Sequence, residues 1–299
     1  MDLPVTPGPS APVTTAATGL VSERAQARRE TLRVLARRPA FILGNIVVIG
    51  WIITAVLGER ITPYDPFNDF FVGHLPPSPE HWMGTDRLGR DVLSRVMVGS
   101  RDVLIVAPLA ALLGVTAGTL LGLVMGYYRG PVDDVLSRIV EAFLALPVIL
   151  VALLTLVVLG SSPLVVVFVV GILFTPIVAR TVRSAVLSER ELDYVTAARL
   201  RGETGRFILS REIFPNVLGP TVVEMTVRFG YAIFTVATLS FLGVGLQPPS
   251  PDWGLSVAEE YPNMISGVWW PTLFPAMAIA STVIAVNLIA DSLQSVLNE

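Results

Sequence analysis

Long apolar stretches separated by short polar ones run along most of the chain. Residues 39–58 carry no charged side chain, and a helix of this length, at about 1.5 Å per residue, crosses a hydrocarbon core of about 30 Å. Residues 142–179 are also uncharged, which is too long for one helix, and the segment 160–163 divides them. The pattern predicts an all-α integral membrane protein with six transmembrane helices, near residues 39–58, 103–128, 139–159, 163–180, 216–238 and 272–293.

Two different segments precede the first predicted helix. Residues 1–21 are rich in Pro, Ser, Thr, Ala and Gly and carry one charge, so they predict a disordered cytoplasmic tail. Residues 22–38 form an Arg-rich arm with a thin apolar stripe, which fits a short helix on an anionic membrane surface or a solvated charged arm equally well. A lead of 38 residues is too long for the basic region of a cleaved signal peptide, so we interpret residues 39–58 as a transmembrane helix.

The composition agrees with a membrane protein and excludes several kinds of catalytic site. The 299 residues are 53% hydrophobic and 15% charged, whereas about a quarter of the residues in soluble domains are charged. There is no Cys, which excludes disulfides and thiolate metal sites. There is also no Lys, so the chain lacks the lysine with which a P-loop binds ATP. His74 and His81 lie outside any zinc-binding pattern, and no metal site is predicted.

Arginine is distributed unevenly between the loops, and this predicts the orientation. Fifteen of the 21 arginines lie ahead of the first helix, in residues 129–138 or in residues 180–211. Residues 59–102 have five, and residues 243–271 have none. Because loops rich in Arg stay in the cytoplasm, both termini are predicted to be cytoplasmic.

This orientation divides the remaining chain into an extracytoplasmic segment, residues 59–102, and a five-helix core, residues 103–297. The core contains a cytoplasmic loop, 184–215, and an extracytoplasmic loop, 246–270. Both are too long for simple turns, so each is expected to have structure and a function of its own.

The cytoplasmic loop has the pattern of two short helices joined by a turn. A helix-forming run with Ala197 and Ala198 precedes Gly202, and Pro215 opens the next element. An element of this kind suits docking against a soluble partner protein. A simple polar linker is the alternative interpretation.

Several motifs resemble those of one transporter family. The spacing Ala197-Ala198-x3-Gly202, followed by Pro215, is similar to the EAA loop of ABC importer permeases. Other stretches resemble dipeptide and oligopeptide permeases: His81–Arg95, Gly126–Gly130 with Asp133 and Asp134, Leu146-Pro147, Leu239–Gly245, Pro248, Pro249, Pro251, Trp253-Gly254, Asn287 and Asp291. By this resemblance the chain is identified as a C-type permease subunit of a peptide ABC importer, with the type I importer fold.

The resemblance implies a division of labour among several chains. A B-type permease subunit would pair with this chain to form the channel, and ATPase subunits would bind ATP and Mg²⁺ and dock on the cytoplasmic face. An extracytoplasmic binding protein would deliver the cargo. This chain would be a transport component without a cofactor of its own, in contact with membrane lipid but not with nucleic acid, in a bacterial plasma (inner) membrane. Related systems carry dipeptides, oligopeptides, nickel complexes or haem, so the individual cargo stays open.

In that family the EAA loop forms coupling helices that fit a groove on the ATPase subunit. The resemblance therefore implies ATPase contacts at Tyr194, Thr196, Ala197, Ala198, Gly202, Phe207 and Pro215. Thr196 stands where the family has Glu, so a contact through that carboxylate is not expected.

Three glycines follow Gly114 at intervals of four residues, at 118, 122 and 126. Glycines with this spacing form a bare ridge on a helix, which lets another helix approach closely. Packing within the helix bundle is the favoured interpretation, and a direct role at the translocation path is the alternative.

Glu224 and Arg228 lie one turn apart on the fifth predicted helix and can form an ion pair. A lone charge at the membrane centre costs about 2.5–3.5 kcal/mol on insertion scales, so both groups must be paired or face water. They are either a polar lining of the translocation path or a structural pair. The alternative function, a proton-coupled secondary transporter, would use Glu224 and Asp291, although no internal repeat typical of that class is present.

The extracytoplasmic loop is acidic and has aromatic residues at both ends. Asp252, Glu259 and Glu260 are accompanied by no basic residue within the loop, and Trp253 suits a membrane interface. We expect Asp252, Trp253, Glu259 and Glu260 to contact the binding protein or a positively charged amino terminus of the cargo.

Overall fold

The computed structural model describes residues 34–68 and 71–297, and all regular structure within these ranges is helical. The predicted tail 1–21 and most of the predicted arm 22–38 lie outside the described residues. The helices are α1 (Pro39–Leu57), α2 (Val92–Tyr128), α3 (Pro131–Leu144), α4 (Val148–Leu159), α5 (Pro163–Glu189), α6 (Asp193–Leu200), α7 (Gly205–Phe207), α8 (Phe214–Phe241), α9 (Trp253–Glu260) and α10 (Trp270–Leu297).

Five of the described helices are long and apolar enough to cross a membrane, and they become six if the bent pair α3 and α4 counts as one span. A π-helical turn, Ile208–Ile213, joins α7 to α8, so this span runs without interruption from Gly205 to Phe241. The predicted all-α membrane fold is therefore confirmed for the described part of the chain.

The predicted helix at 139–159 is wrong, because these residues belong to two helices. The axes of α3 and α4 meet at 86°, and Pro147 stands directly before α4. Proline has no N–H for the helical hydrogen bond and its ring clashes with the preceding turn. The uncharged run continues through this break, and hydropathy contains no information on helix direction, so the pattern did not predict it.

The second membrane helix begins eleven residues before its predicted start at residue 103. The Asp91 carboxylate caps α2 by accepting a hydrogen bond from Ser94 N at 2.8 Å. The first turns contain Arg95, Arg101 and Asp102, so they fall outside the uncharged stretch that predicted the helix. At 37 residues, α2 is about 55 Å long and extends beyond a bilayer core.

The glycine ridge of α2 packs against α5, as the favoured interpretation predicted. A Cβ atom at Gly114 would lie 2.8 Å from Gly171 O, and one at Gly122 would lie 2.7 Å from Ala179 O. The partner positions on α5 rise in the same order as the glycines on α2, so the two helices run parallel. This contact also forms the most extensive helix pair in the described structure.

α2 connects the two ends of the bundle. The cap consists of residues 61–68, 71–91 and 242–269; within it, Trp253 Nε1 donates a hydrogen bond to Val96 O near the start of α2. The helical loop consists of residues 190–213, and Arg190 Nη1 donates to Tyr127 O at the end of α2, at 2.6 Å. The length of α2 therefore places the cap and the helical loop at opposite ends.

Gly118 offers a test of the α2–α5 contact. A Cβ atom there would lie 2.6 Å from Val178 Cβ and 2.8 Å from Thr175 O, so Gly118→Ala should destabilise the protein by about 1–3 kcal/mol through overpacking. Thermal unfolding of the detergent-solubilised protein measures the effect. Gly50→Ala is the matched control, since its Cβ meets nothing within 4 Å; equal melting temperatures for the two variants would contradict the close contact.

Candidate functional site

The sequence-predicted site residues lie in three separate regions along the bundle. The residues assigned to ATPase coupling belong to the helical loop and the start of α8. Glu224 and Arg228 lie near the middle of α8, and the four residues assigned to delivery belong to the cap. The three regions lie on different elements, at the two ends and in the middle of the bundle.

The helical loop is anchored to the bundle by buried apolar side chains. Val195 and Ala198 on α6, together with Ile208 and Ile213 after the turn, are fully buried against Val182 and its neighbours on α5. The predicted helix–turn–helix is confirmed by α6 and α7. Its apolar face holds it on the end of the bundle, which leaves the opposite face uncovered.

Gly202 forms the turn between α6 and α7. Its φ is +79°, a left-handed conformation that glycine adopts without steric cost. The N–H of Glu203 returns to Ala198 O at 3.2 Å, and the Thr204 side chain caps the next helix at Phe207 N. The turn is therefore closed at both sides by hydrogen bonds.

The uncovered face of the helical loop includes most of the predicted coupling residues. Thr196, Ala197, Gly202, Phe207 and Pro215 are exposed. Leu200 is 85% exposed. It was not among the predicted coupling residues, although a leucine within a polar loop could have indicated an exposed apolar contact. Together with Phe207, which is 40% exposed, Leu200 gives this face apolar side chains.

Two of the predicted coupling residues position the loop and do not belong to its exposed face. Ala198 is fully buried, so a direct contact between its side chain and a partner is ruled out in this conformation. The Tyr194 hydroxyl donates to Glu189 Oε2 at 2.6 Å and accepts from Asn216 Nδ2 at 3.1 Å. Burial, together with the hydrogen bond to Glu189, raises the pKa of Tyr194 to about 12, so this donor stays protonated at neutral pH.

Glu224 and Arg228 form the ion pair that their spacing predicts. Arg228 Nε donates to Glu224 Oε2 at 2.9 Å, and the two side chains are 11% and 14% exposed, with Arg228 the less exposed. The guanidinium also lies over the Tyr231 ring, 5.0 Å from its centroid. The pair satisfies both charges within one turn of α8, which is the condition for keeping them inside a membrane.

Glu259 of the cap is neutralised by two arginines from a distant part of the chain. Arg90 Nη2 donates to Glu259 Oε2 at 3.1 Å, and Arg90 Nε donates to Asp86 Oδ2 at 2.6 Å. Arg87 reaches the other Glu259 oxygen at 3.4 Å. Counting charges within residues 246–270 alone missed these pairs, because α9 packs against the segment that precedes α2.

Glu260 is a buried junction between the two halves of the cap. Its Oε1 accepts from Arg87 N at 2.9 Å, and its Oε2 is 3.1 Å from His74 Nε2 and 3.0 Å from Asn263 Nδ2. His81 Nδ1 lies 3.0 Å from Asp91 Oδ1. Both histidines therefore pair with carboxylates, and no cluster of His, Asp and Glu in the described ranges could hold a metal ion.

Asp252 and Trp253 form the buried start of α9. Asp252 Oδ1 accepts from Leu255 N at 2.9 Å, which caps the helix. Its Oδ2 has no hydrogen-bond partner among the described atoms, and burial raises the pKa of this carboxyl from 3.8 to about 6, with a smaller contribution from Asp102. The Trp253 ring is fully buried and lies 4.8 Å from the Trp51 ring.

The expectation that these four cap residues contact cargo or a binding protein directly is therefore wrong for three of them. Asp252, Trp253 and Glu260 are buried, and Glu259 is engaged by two arginines. The exposed part of the cap is the 3₁₀ turn that follows, where Tyr261 and Met264 are about half exposed and Ile265 is 95% exposed. The spacing of these three residues shows no helical or strand periodicity, so the sequence alone did not indicate an exposed surface here.

Comparison with known proteins assigns a family to this arrangement of helices. Residues 118–299 match the family described as binding-protein-dependent transport system inner membrane component. The chain is 38% identical, over 90% of its length and 90% of the relative, to the glutathione transport system permease protein GsiD of Pectobacterium atrosepticum. It is 34% identical, over 90% of its length and 85% of the relative, to the dipeptide transport system permease protein DppC of Bacillus subtilis.

A double-mutant cycle tests the ion pair of α8. Glu224→Ala and Arg228→Ala should each lower the melting temperature, because each leaves one charge unpaired, and the double variant should be less harmful than the sum. We expect a coupling of about 0.5–3 kcal/mol. Thr226→Ala combined with Arg228→Ala is the control, since residues two apart do not face each other on a helix. Additive losses for Glu224 and Arg228 would contradict the contact.

The raised pKa of Asp252 predicts a pH-dependent stability. The folded state holds this proton up to about pH 6, so the contribution of the carboxyl to stability falls as the pH rises from about 4 to 6 and stays low above that. Asp252→Asn keeps an oxygen for Leu255 N and removes the buried charge. Its melting temperature should exceed that of the unchanged protein above pH 6, with a difference that shrinks toward pH 4.

Asp252→Ala is the control for the helix cap, since it removes both the charge and the oxygen that Leu255 N requires. Because it lacks the helix cap, this variant should have a lower melting temperature than the asparagine variant. A difference between the asparagine variant and the unchanged protein that is constant from pH 4 to pH 8 would show that the carboxyl does not titrate in this range.

Proposed function

Because the chain belongs to the family of binding-protein-dependent transport system inner membrane components, we propose that it is the peptide-conducting permease subunit of an ATP-binding-cassette importer. The cargo class is inferred from the similarity of this chain, along nearly its whole length, to permeases named for dipeptide and glutathione transport. Glutathione is itself a tripeptide, so short peptides are the shared chemistry. The protein is a multi-pass inner membrane component.

We propose that the remaining functions reside in other chains of the importer. A second, B-type permease subunit completes the channel, as the motifs that this chain shares with dipeptide and oligopeptide permeases imply. ATPase subunits bind ATP and Mg²⁺, which agrees with the lack of any lysine for a P-loop. An extracytoplasmic binding protein delivers the peptide.

We orient the bundle with the helical loop in the cytoplasm and the cap outside. The helical loop and the residues just before it hold seven arginines between residues 180 and 211, whereas residues 243–271 hold none. Arginine-rich segments near membrane helices remain on the cytoplasmic side. α1 and α10 then place both termini in the cytoplasm.

The exposed face of the helical loop is the surface that we assign to the ATPase subunit. Thr196, Ala197 and Leu200 on α6 and Phe207 on α7 are exposed there, while Val195 and Ala198 hold the element on the bundle. A rigid element with small and apolar side chains on its outer face fits into a groove of a partner. Movement of the ATPase would reach α5 and α8 directly, because both helices adjoin the loop.

At the other end, the 3₁₀ turn Tyr261–Ser266 is the surface that we assign to the binding protein. Ile265 projects almost fully into solvent, and the turn follows Glu260, which is tied to Arg87, His74 and Asn263. An apolar tip on a rigid support suits a protein contact. This assignment replaces the buried acidic residues as the delivery surface.

Reconstitution of the complete importer tests the proposed function. The permease pair and ATPase subunits are placed in vesicles with ATP inside, and the binding protein and a labelled dipeptide are added outside. Uptake should require ATP and the binding protein and should persist when a protonophore collapses the proton gradient. Uptake that proceeds without ATP and stops with the protonophore would instead support the proton-coupled transporter that uses Glu224 and Asp291.

Leu200 provides a sharper test of the ATPase surface. Leu200→Ser removes an apolar side chain from the proposed interface, and we expect the ATPase subunit to bind at least about tenfold more weakly, as for a central interface residue. Leu242→Ser is the control, because Leu242 is about half exposed at the opposite end of the bundle. Co-purification and binding-protein-stimulated ATP hydrolysis are measured for both. Equal ATPase binding by the two variants would remove the assignment.

A further inference from the structure

A polar groove lies between α5 and α8 near the helical loop. It has a volume of about 550 Å³, and its walls are formed by Arg180, Thr181, Ser184, Ala185, Ser188 and Pro220. Five of these residues lie on one face of α5, in two adjacent rows with a spacing of four: 180, 184 and 188 form one row, and 181 and 185 form the other. A helix face that contacts lipid tails carries apolar side chains, so this polar face is not expected to lie against lipid tails.

Arg180 is the charged group of this groove, and its charge is not compensated within the described residues. No hydrogen bond or ion pair joins it to another side chain in that part of the chain, and its side chain is exposed. The neighbouring Arg183 differs, since Asp133 accepts from its Nε and Nη2, both at 2.6 Å. Arg180 is therefore available to an anion, whereas Arg183 is already bound.

One hydroxyl group beside Arg180 keeps a proton that it can donate to an anion. Thr181 Oγ1 donates to Ile177 O at 3.3 Å, and Ser188 Oγ donates to Ser184 O at 3.4 Å, so neither hydroxyl has a proton left for a carboxylate. Ser184 lies one turn from Arg180 and is exposed. The Ser184 hydroxyl and the Arg180 guanidinium can together hold a carboxylate through charge-assisted hydrogen bonds.

The groove continues the polar positions of α8 toward the helical loop. Pro220 lines the groove, and Glu224 and Arg228 follow it at intervals of four residues, hence on nearly the same face of α8. Arg180 lies about 25 Å along α5 from Pro163, close to the loop end of the span. Polar groups thus extend from the middle of the bundle to the end that we place in the cytoplasm.

We propose that this groove is the exit vestibule of the translocation path, and that Arg180 pairs there with the α-carboxylate of the departing peptide. The inference rests on the proposed function and adds the part of the cargo that is recognised. Every short peptide with a free carboxyl terminus has this anion whatever its side chains, so one arginine serves many cargoes. An anionic lipid headgroup offers similar chemistry, and the experiment separates the two sources.

The lack of cysteine in the chain allows the groove to be probed with a single thiol. Ser184→Cys is reacted with an anionic and a cationic methanethiosulfonate in the assembled importer, held in nanodiscs of zwitterionic lipid. The anionic reagent should react faster by at least about tenfold, because Arg180 raises the local anion concentration. Adding Arg180→Gln should abolish this preference. Ser210→Cys, an exposed position on the helical loop, is the control that Arg180→Gln should leave unchanged.

Competition identifies the anion. A dipeptide with a free carboxyl terminus should slow the labelling of Ser184→Cys by the anionic reagent, and the same dipeptide with an amidated terminus should not. Equal protection by the two dipeptides would overturn the proposal. Protection that requires only the replacement of zwitterionic by anionic lipid, with no effect of the free dipeptide, would also overturn it and assign the site to a headgroup.

Transport separates this inference from the proposed function. With Arg180→Gln, ATP-driven uptake at saturating binding protein should fall at least about tenfold, while the half-saturating concentration of the binding protein stays unchanged; Arg180→Lys should restore much of the rate. Arg138→Gln, another exposed arginine without a described partner, is the control. Normal uptake by Arg180→Gln would overturn the vestibule and leave the importer intact, whereas no uptake by the unchanged protein would contradict the proposed function itself.

Discussion

The close approach of α2 and α5 is the constraint on which the rest of the structure depends. Two parallel helices can meet at backbone distance only where side chains are absent, and Gly114, Gly118, Gly122 and Gly126 leave that space on α2. In lipid there is no hydrophobic force between apolar helices, so dispersion contacts of this kind hold them together. Because α2 also reaches both ends of the bundle, the same contact sets the position of the cap and of the helical loop.

The cap and the helical loop are attached to the start and the end of α2 by different kinds of interaction. At its start, buried charges meet: Asp86, Arg90 and Arg95 share one network with Glu259. A buried ion network is weak evidence for stability, because desolvation opposes the attraction, but its geometry admits few alternatives. At its end, apolar side chains of α6 dock instead. The cap is thus held in place by specific charge pairs, while the helical loop is held by apolar packing together with the hydrogen bonds of Arg190 and Tyr194.

Along the bundle, charge is handled according to its surroundings. Glu224 and Arg228 pair within one helical turn at the middle of α8, where an unpaired charge is most costly. Arg183 is paired across helices with Asp133, and Arg180 is left to an open groove. Charge pairing therefore follows the local surroundings of each group: the pair inside the bundle is closed, whereas the exposed Arg180 has no ion pair within the described residues.

The sequence by itself determined the membrane class, the Gly ridge, the Glu224–Arg228 pair and the helix–turn–helix around Gly202, because each depends on residues close together along the chain. Local spacing determines which side chains share a helix face, and a glycine after a helical run allows the chain to form a turn. The motifs also identified the family, since several of them agree over most of the chain.

Only the tertiary structure decided what lies far apart in sequence. Pro147 turned one expected helix into two at 86°, a direction that hydropathy does not encode. Glu259 is bound by Arg90 and Arg87, some 170 positions away, and Asp252, Trp253 and Glu260 are interior residues rather than a delivery surface. The groove at Arg180 arises where α5 meets α8. Burial and charge compensation are properties of packed helices, and no single segment of the chain contains them.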